Sequence, residues 1–333
     1  MYQSFLKNKI IFLTGGTGSF GKAFVKIILN YKIKKLIIFS RDESKQWDMR
    51  NEFKSSKKIQ FCIGDIRDKE RLNSSLTKDV DFVVHAAATK IVPTAETNPE
   101  ECVKTNILGT INLIQVCKEK NIKRIIGLST DKSCNPTNLY GATKLAADKL
   151  LISANDFDKK KKSIFSVVRY GNVLGSRGSV IPFFKKIYQK NKYIPITDKR
   201  MTRFIISLKD AVNFVLLSLN EMKGGEIFVK KIPSMNILDI ANSIKLNPKI
   251  KIIGIRPGEK LHETMISSDD ALYTYEFRDY YKIIPNINNH PKFYRANKAK
   301  RVKIGFNYSS DNNKKWQSHS YLSKWIKKFP NYH

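Results

Sequence analysis

The sequence lacks long apolar runs, and its few cysteines are not spaced as metal or redox pairs. No apolar run approaches the roughly 18 residues that a membrane-spanning helix needs, and the first residues carry no apolar segment typical of a signal peptide. The four cysteines show neither a C-x-x-C pair nor zinc-ligand spacing. We therefore expect reduced thiols, no metal site, no membrane segment and a cytoplasmic location.

Acidic residues are few relative to basic ones. The 333-residue chain has 61 Lys and Arg against 29 Asp and Glu, a formal net charge of +32. Such a surplus can indicate binding to nucleic acid or to an anionic membrane. Here the lysines are spread along the chain, with one dense run at 159–162, and no nucleic-acid-binding motif accompanies them. We expect no nucleic-acid partner, and a positive field would also suit a small anionic substrate.

A glycine-rich segment follows the first apolar run, at 9–13. Its residues Gly15, Gly18 and Gly21 form a G-x-x-G-x-x-G variant of the dinucleotide-binding fingerprint. In that motif the first glycine permits a tight turn, the second lets the backbone approach a pyrophosphate, and the third lets helix pack on strand. The helix that follows would point its N-terminus at the phosphates. The segment therefore predicts a dinucleotide site.

Apolar runs alternate with helical patterns over the first half of the chain, which indicates a parallel, doubly wound sheet. We predict an α/β fold in which a Rossmann-like sheet carries a smaller C-terminal substrate-binding lobe. The sheet domain would span 1–170, with 208–230 returning to it, and the lobe and C-terminal tail would take 171–207 and 231–333. The predicted strands are 9–13, 35–39, 59–63, 81–84, 124–128, 163–168 and 226–229.

The ends of three predicted strands carry residues expected around the coenzyme. Arg41 follows the second strand, at the position where NAD-specific sites place an acidic residue on the ribose. Because Arg41 and the nearby Lys45 suit a 2′-phosphate, NADP is favoured, although Asp42 keeps NAD open. Asp65 would hold the adenine, and the small residues 86–88 would let the coenzyme lie close to the backbone.

Two polar residues in apolar surroundings are interpreted as structural rather than catalytic. His85 ends the fourth predicted strand, and Asn106 lies inside a predicted helix at 100–120. A buried polar side chain is costly unless it has a hydrogen-bonding partner. We therefore expect both side chains to be hydrogen-bonded within the fold.

The segment after the fifth predicted strand carries the candidate catalytic groups. Tyr140 and Lys144 are four residues apart, so they share one face of a helix. An ammonium beside a phenol favours the phenolate and lowers its pKa, which suits a base near neutral pH. Asp131 and Lys132 lie just before them at a strand end, where open α/β sheets hold their active sites.

Three later segments would form the lobe that covers the cleft. The stretch 169–180 is rich in glycine and polar side chains and predicts a loop over the cleft. The segment 196–204 carries Arg200 and Arg203, a candidate phosphate clamp. The segment 255–260 adds a further arginine and glutamate. Together they predict binding of an anionic substrate.

These motifs resemble the extended short-chain dehydrogenase/reductases, and within them the inverting UDP-N-acetylglucosamine 4,6-dehydratases of bacterial pseudaminic acid synthesis. The resemblance runs from residue 10 to about residue 280. Besides the glycine fingerprint, it rests on Ser40-Arg41-Asp42-Glu43, His85-Ala86-Ala87-Ala88, Ser129-Thr130-Asp131-Lys132, Tyr140-x-x-x-Lys144, Arg169-Tyr170-Gly171-Asn172-Val173, Gly175-Ser176-Arg177-Gly178-Ser179, Met201-Thr202-Arg203-Phe204, Lys231-Ile232-Pro233-Ser234 and Arg256-Pro257-Gly258-Glu259-Lys260-Leu261-His262-Glu263.

The resemblance implies an internal redox cycle. Tyr140, helped by Lys144 and Thr130, would take the O4 proton while C4 gives its hydride to NADP⁺. Lys132 would then remove the acidified C5 proton, and Asp131 would protonate the departing 6-hydroxyl. Return of the hydride to C6 and reprotonation of C5 from the opposite face would give UDP-2-acetamido-2,6-dideoxy-β-L-arabino-hex-4-ulose. NADP would be tightly bound and regenerated each cycle.

The resemblance also implies a homo-oligomer, either a hexamer or a dimer, and two sets of binding residues. The NADP-binding set is Gly15, Thr17, Gly18, Ser19, Phe20, Gly21, Ser40, Arg41, Asp42, Lys45, Gln46, Asp65, Ile66, Ala86, Ala87, Lys90, Leu128, Ser129, Tyr140, Lys144 and Val173. The UDP-sugar-binding set is Lys90, Asn172, Arg177, Gly178, Ser179, Val180, Thr197, Arg203, Arg256 and Glu259.

Alternatives remain open. A UDP-hexose 4-epimerase shares the fold and the Tyr–Lys pair, but it performs no elimination, so Asp131 and Lys132 argue against it. Retaining 4,6-dehydratases resemble this chain, but their membrane-anchored members are longer and lack the tyrosine. A non-catalytic NADP- or nucleic-acid-binding Rossmann protein would usually lose the pair formed here by Tyr140 and Lys144.

Overall fold

The computed structural model describes residues 2–156, 162–284 and 299–329. Residues 159–161 of the lysine run lie outside these ranges. The helices are α1 (Gln3–Leu6), α2 (Ser19–Ile28), α3 (Glu43–Glu52), α4 (Lys69–Ser75), α5 (Val92–Thr97), α6 (Pro99–Val103), α7 (Gly109–Glu119), α8 (Leu139–Ser153), α9 (Val180–Asn191), α10 (Leu208–Glu221), α11 (Ile237–Ile244) and α12 (His319–Lys328). None of these helices combines the length and apolarity needed to cross a membrane.

The strands of the described residues form one large sheet and three small ones. They are β1 (Ile10–Thr14), β2 (Lys35–Ser40), β3 (Ile59–Ile63), β4 (Phe82–His85), β5 (Arg124–Leu128), β6 (Ile164–Arg169), β7 (Asn172–Val173), β8 (Tyr193–Ile196), β9 (Thr202–Ile206), β10 (Ile227–Lys230), β11 (Ser234–Asn236), β12 (Lys249–Ile252), β13 (Thr264–Ile266), β14 (Thr274–Glu276), β15 (Tyr280–Ile283), β16 (Lys300–Arg301) and β17 (Tyr308–Ser309).

The large sheet has ten strands with a parallel, doubly wound centre. Its order is β16-β14-β15-β10-β6-β5-β4-β1-β2-β3, and the strands from β10 to β3 pair in parallel. β1 and β4 are buried along their whole length, as expected for parallel strands covered by helices on both faces. The predicted α/β Rossmann-like fold is confirmed, and each predicted strand agrees with an observed one to within two residues.

The smaller elements after β6 form a second apolar core. A three-stranded sheet (β11-β9-β7) and a two-stranded sheet (β12-β8) pack with α9 and α11. The C-terminal helix α12 buries Leu322 against this core. The range 231–333, predicted to belong to the lobe and tail, also supplies β14, β15 and β16 to the large sheet. The domain boundaries given above stay a prediction.

The predicted helix at 100–120 is interrupted. α6 ends at Val103, a π-helical turn spans Lys104–Leu108, and α7 begins at Gly109. Within the π turn the Asn106 amide exchanges hydrogen bonds with the Thr89 backbone, at 2.8 and 3.0 Å, and donates to Thr143 Oγ1 at 3.0 Å. The buried asparagine is therefore satisfied, and it ties the loop after β4 to α8.

Candidate active site

A cavity of about 1840 Å³ opens where the parallel strands end and the lobe faces them. One side is formed by the glycine-rich loop and the ends of β2, β4 and β5. The other side is formed by the loop 171–180, by α9 and by the segment 253–263. The position at the carboxyl ends of the strands is where open α/β sheets bind their ligands.

The glycine-rich loop lies too close to its neighbours to carry side chains. Gly15 has φ +66°, and a β-carbon there would lie 2.7 Å from the Ala87 nitrogen. A β-carbon at Gly21 would lie 2.1 Å from the Gly16 oxygen, so the third glycine lets α2 begin directly on the loop. These contacts fit a backbone cradle for a pyrophosphate at a helix N-terminus.

His85 fixes the backbone beside this loop. It is buried, its Nδ1 lies 2.8 Å from Thr14 Oγ1, and its Nε2 lies 3.3 Å from Thr110 Oγ1. Thr110 donates its own proton to the Asn106 carbonyl at 2.7 Å, so the histidine must donate through Nε2 and accept at Nδ1. Burial, and then the charge of Lys144, lower the pKa of His85 to about 3. His85 is therefore neutral and structural, as interpreted.

Two cationic side chains and one carboxylate follow the end of β2, and the carboxylate, that of Asp42, is bonded to one of the cations. Asp42 caps α3 by accepting from the Lys45 nitrogen at 2.9 Å, and it pairs with the Lys45 ammonium. These hydrogen bonds hold the pKa of Asp42 below its usual value. Arg41 is largely exposed, with Nη1 3.7 Å from Asp65 Oδ2. Arg41, Asp42 and Lys45 all line the cavity, with Lys45 paired to Asp42 and Arg41 the most exposed of the three.

Tyr140 and Lys144 lie one turn apart at the start of α8, which Asn138 caps by accepting from the Gly141 nitrogen at 2.8 Å. The expected lowering of the phenol pKa is wrong for this structure. Burial raises the pKa of Tyr140 to about 12, against smaller lowering effects of the Thr130 hydroxyl and the Lys132 charge. Burial also lowers the pKa of Lys144, and the charge of Asp148, one helical turn later in α8, partly opposes this decrease.

Lys132 projects from a short 3₁₀ turn after β5 and uses all its donors. Its Nζ lies 2.9 Å from Glu263 Oε1, 3.1 Å from Asp131 Oδ1 and 3.4 Å from Asn172 Oδ1. Burial would lower the pKa of Lys132, but the two carboxylates outweigh it and raise the pKa. In this arrangement Lys132 is an ammonium held between two anions.

The two carboxylates around Lys132 have opposite protonation preferences. Burial first, and the Glu263 charge next, raise the pKa of Asp131 despite Lys132. Burial acts the same way on Glu263, but Lys132 and Arg203 outweigh it and lower the pKa of Glu263. Of the two, Asp131 is therefore the carboxyl group that more readily holds a proton, and Glu263 the one that stays ionised.

A buried ionic network underlies the catalytic turn. Asp148 accepts from Ser129 Oγ at 2.6 Å and from Ser133 Oγ at 3.1 Å, and its Oδ2 lies 3.4 Å from Arg169 Nη2. Arg169 also donates to the Met265 carbonyl at 2.9 Å. Both charged side chains are at most 3% exposed. The network holds both ends of the turn that carries Asp131 and Lys132.

Every predicted catalytic, coenzyme-binding and substrate-binding residue lines the cavity except Gln46, Asp131 and Arg200, the last of which pairs with Asp198 at 2.7 Å. The Gln46 amide donates to the Ser40 carbonyl, to Ser40 Oγ and to the Cys62 carbonyl, at 2.8 to 3.0 Å. Gln46 therefore joins β2 to β3 from behind, and its assignment to the coenzyme is corrected. Asp131 is fully buried, and its Oδ1 contacts Lys132 Nζ and the Thr130 hydroxyl, each at 3.1 Å; both of these residues line the cavity.

Arg203 lines the cavity, but its guanidinium is not free to clamp a phosphate. Nη1 donates to the Thr202 and Leu261 carbonyls at 2.8 and 2.9 Å, and Nη2 lies 3.6 Å from Glu259 Oε1. Nε lies 4.0 Å from Glu263 Oε1. With 8% of the residue exposed, Arg203 acts on neighbouring carboxylates, which corrects its expected role.

Sequence reasoning missed Glu263, Asp148 and Arg169 as parts of the site. The segment ending in Glu263 was noted, but without a role for this residue. Asp148 continues the helical spacing of Tyr140 and Lys144, which could have identified it.

Comparisons with known proteins agree with this geometry. Residues 11–285 match the family described as "Polysaccharide biosynthesis protein". A UDP-N-acetylglucosamine 4,6-dehydratase (inverting) from Campylobacter jejuni subsp. jejuni serotype O:23/36 (strain 81-176) is 57% identical over 94% of this chain and 96% of its own. The chain belongs to this family of extended short-chain dehydrogenase/reductases.

The family includes more than one chemistry. A protein named UDP-glucose 4-epimerase from Rickettsia bellii (strain OSU 85-389) is 40% identical over 92% of both chains. Among solved structures, Pen from Bacillus thuringiensis superposes with a TM-score of 0.87 at 37% identity, covering 97% of this chain and 99% of that one. Family membership leaves the reaction to be argued from the site.

Proposed function

We propose that the protein is an inverting UDP-N-acetylglucosamine 4,6-dehydratase of nucleotide-sugar biosynthesis, in the route to pseudaminic acid. The single observation that carries the proposal is Lys132, held between Asp131 and Glu263 beside Tyr140 and Lys144 on one cavity. The dehydratase name of the relative that is 57% identical over almost the whole chain supports the same reaction.

The first half of the reaction belongs to Tyr140 and Lys144. A bound nicotinamide coenzyme would supply the hydride acceptor for C4 and the hydride donor for C6. Tyr140 would take the O4 proton, and a phenol with a raised pKa needs neighbouring cations and the Thr130 hydroxyl to do so near neutral pH. Lys132 supplies such a charge, and Lys144 lies one turn from Tyr140 on the same helix face.

The second half belongs to the Lys132 cluster. Transfer of a proton from Lys132 Nζ to Asp131 Oδ1, across 3.1 Å, gives a neutral amine and a carboxylic acid. Lys132 would then take the C5 proton, the freed electron pair would form the C5–C6 double bond, and the C6–O bond would break. The proton on Asp131 would reach the leaving hydroxyl through the Thr130 hydroxyl, since Asp131 does not face the cavity.

We propose NADP as the coenzyme, tightly bound and regenerated each cycle. The glycine contacts at Gly15 and Gly21 suit a dinucleotide pyrophosphate. Asp42 is already bonded to Lys45, and the exposed guanidinium of Arg41 lines the cavity where a 2′-phosphate would lie. Apart from Gln46 and Arg203, the sequence-based binding sets stay part of this proposal, as does a homo-oligomer.

The test is product analysis by NMR after incubation of the protein with UDP-N-acetylglucosamine in deuterated water. We expect a 4-keto-6-deoxy product with deuterium at an inverted C5. Tyr140→Phe serves as the inactive control, since it lacks the phenol. Absence of turnover with NADP present would overturn the proposal.

A 4-epimerase is the second candidate, because of the relative of that name at 40% identity. Epimerisation would use Tyr140 and Lys144 but leave the C5 proton in place. A C4 epimer without deuterium at C5 would therefore establish the epimerase instead. The Asp131–Lys132 pair favours the dehydratase, because epimerisation at C4 requires neither a base for the C5 proton nor an acid for the 6-hydroxyl.

A further inference from the structure

Glu263 is a buried carboxylate that the reaction outlined above does not use. It is 3% exposed, yet it borders the cavity and makes the shortest contact of Lys132, at 2.9 Å. Its second oxygen, Oε2, has no hydrogen-bonding partner among the described residues, and the same holds for Asp131 Oδ2. An anion without full hydrogen bonding is costly to bury, so its retention here calls for a function.

The backbone at Glu263 is fixed from two sides. Its nitrogen donates to Ser310 Oγ at 2.9 Å, and its oxygen accepts from the Ser310 nitrogen at 2.8 Å. Ser310 Oγ in turn donates to the Thr202 carbonyl at 3.1 Å, and Thr202 directly precedes Arg203 in the chain. The carboxylate and the guanidinium are thus held on one rigid unit of β9, β13 and β17.

The charged and titratable groups that face the cluster come from four segments, because Tyr140 of α8 also faces Lys132 and Asp131. Lys132 faces Asp131, Glu263 and Arg203, whereas Glu263 faces Lys132, Arg203 and Lys260. Glu263 is therefore surrounded by cations, while Asp131 meets one cation and one like charge. Of the two carboxylates, Glu263 stays ionised and Asp131 is the one that takes up the proton.

We propose that Glu263 is a positioning residue for the elimination step: it holds Lys132 Nζ at the cavity wall and stays ionised, which leaves Asp131 as the carboxylate that receives the transferred proton. This inference rests on the proposed dehydratase function. The proton that leaves Lys132 goes to Asp131, the proton from C5 goes to Lys132, and Glu263 neither gains nor loses one.

The experiment compares Glu263→Gln with the wild-type enzyme and with Glu263→Asp. Loss of the anion should slow elimination by about 10- to 100-fold, less than removal of a general acid or base, while C4 oxidation continues. Reduced coenzyme should therefore accumulate during turnover, seen by its absorbance, and solvent deuterium should enter C5 more slowly. Glu263→Asp keeps the charge and should recover part of the rate.

The pH profile separates this role from a structural one. Removal of the negative charge lowers the pKa of both Lys132 and Asp131, so the acidic limb of the elimination rate should move to lower pH in Glu263→Gln. Glu52→Gln, which removes a carboxylate paired with Lys22 and Lys26 on the surface, is the matched control and should show neither effect.

Equal slowing of oxidation and elimination, without a shift of the pH limb, would refute the inference, as would unchanged rates. Thermal unfolding and coenzyme content confirm that each variant is folded; if Glu263→Gln is not, the comparison of Glu263→Asp with the wild type carries the test. The wild-type product is determined first, so a failure of the proposed function is recognised separately.

Discussion

His85 should make the stability of the protein depend on pH between about 6.5 and 3. Its ring donates to Thr110 and accepts from Thr14, and Thr14 Oγ1 accepts from the Ala86 and Ala87 nitrogens at 3.2 Å. A second ring proton would leave Nδ1 without an acceptor, because the Thr14 hydroxyl must then reorganise. Protonation therefore opposes both the fold and the backbone that faces the coenzyme cavity.

The size of the effect follows from the shift in pKa. The pKa of His85 falls from 6.5 to about 3 on folding, so below pH 6.5 the unfolded chain binds a proton that the folded chain does not. Stability is then lost as pH falls. With about 1.4 kcal/mol per pKa unit, His85 contributes a loss of about 2 kcal/mol between pH 8 and pH 5.

The measurement is urea unfolding at pH 8 and pH 5 for the wild type and His85→Gln. The variant should be less stable at pH 8, but its loss between the two pH values should be smaller by about 2 kcal/mol. His319→Gln is the matched control, because His319 is a surface residue beside Asp239, and it should keep the wild-type dependence. An unchanged dependence in His85→Gln would refute the reasoning.

Two further predictions concern the chemistry. Lys132→Ala should slow elimination by about 10²- to 10⁴-fold while coenzyme stays bound, measured by product NMR and coenzyme content; dehydration at the wild-type rate would remove Lys132 as the C5 base. Arg41→Ala should weaken NADP binding by about 10- to 100-fold, the loss of a hydrogen bond to a charged group, and leave NAD binding unchanged in a fluorescence titration. Equal effects on both coenzymes would argue against a 2′-phosphate contact.

The parts of the fold that sequence predicts are those with a local signal. The glycine loop, the apolar strands and the Tyr140–Lys144 spacing all lie within short windows, where periodicity and turn chemistry decide the structure. The π turn at Lys104–Leu108 has no such signal, because it is imposed by the pairing of Asn106 with Thr89 and Thr143. Tertiary contacts there override the local helix pattern.

The same limit applies to the site. Lys132 and Asp131 are adjacent in sequence, but Glu263 and Arg203 reach them from other segments, and no spacing rule connects these positions. The direction of the Tyr140 pKa was wrong because a sequence shows a neighbouring charge but not the burial that outweighs it. Likewise Gln46 lies in sequence beside the predicted coenzyme-binding residues, but its side chain bonds to the backbone of β2 and β3.

The division of the site between two structural units bears on why related proteins differ in reaction. Tyr140, Lys144 and Thr130 all belong to β5, α8 and their connection, and in the proposed function they assist oxidation at C4 by the coenzyme. Elimination additionally requires that a lysine next to a buried acid be held by Glu263, which comes from the segment before β13 and is itself paired with Arg203. An epimerase and a dehydratase can thus share Tyr140, Lys144 and Thr130. The difference between them would then lie in the Asp131–Lys132 pair and in whether the lobe side supplies an anion to Lys132.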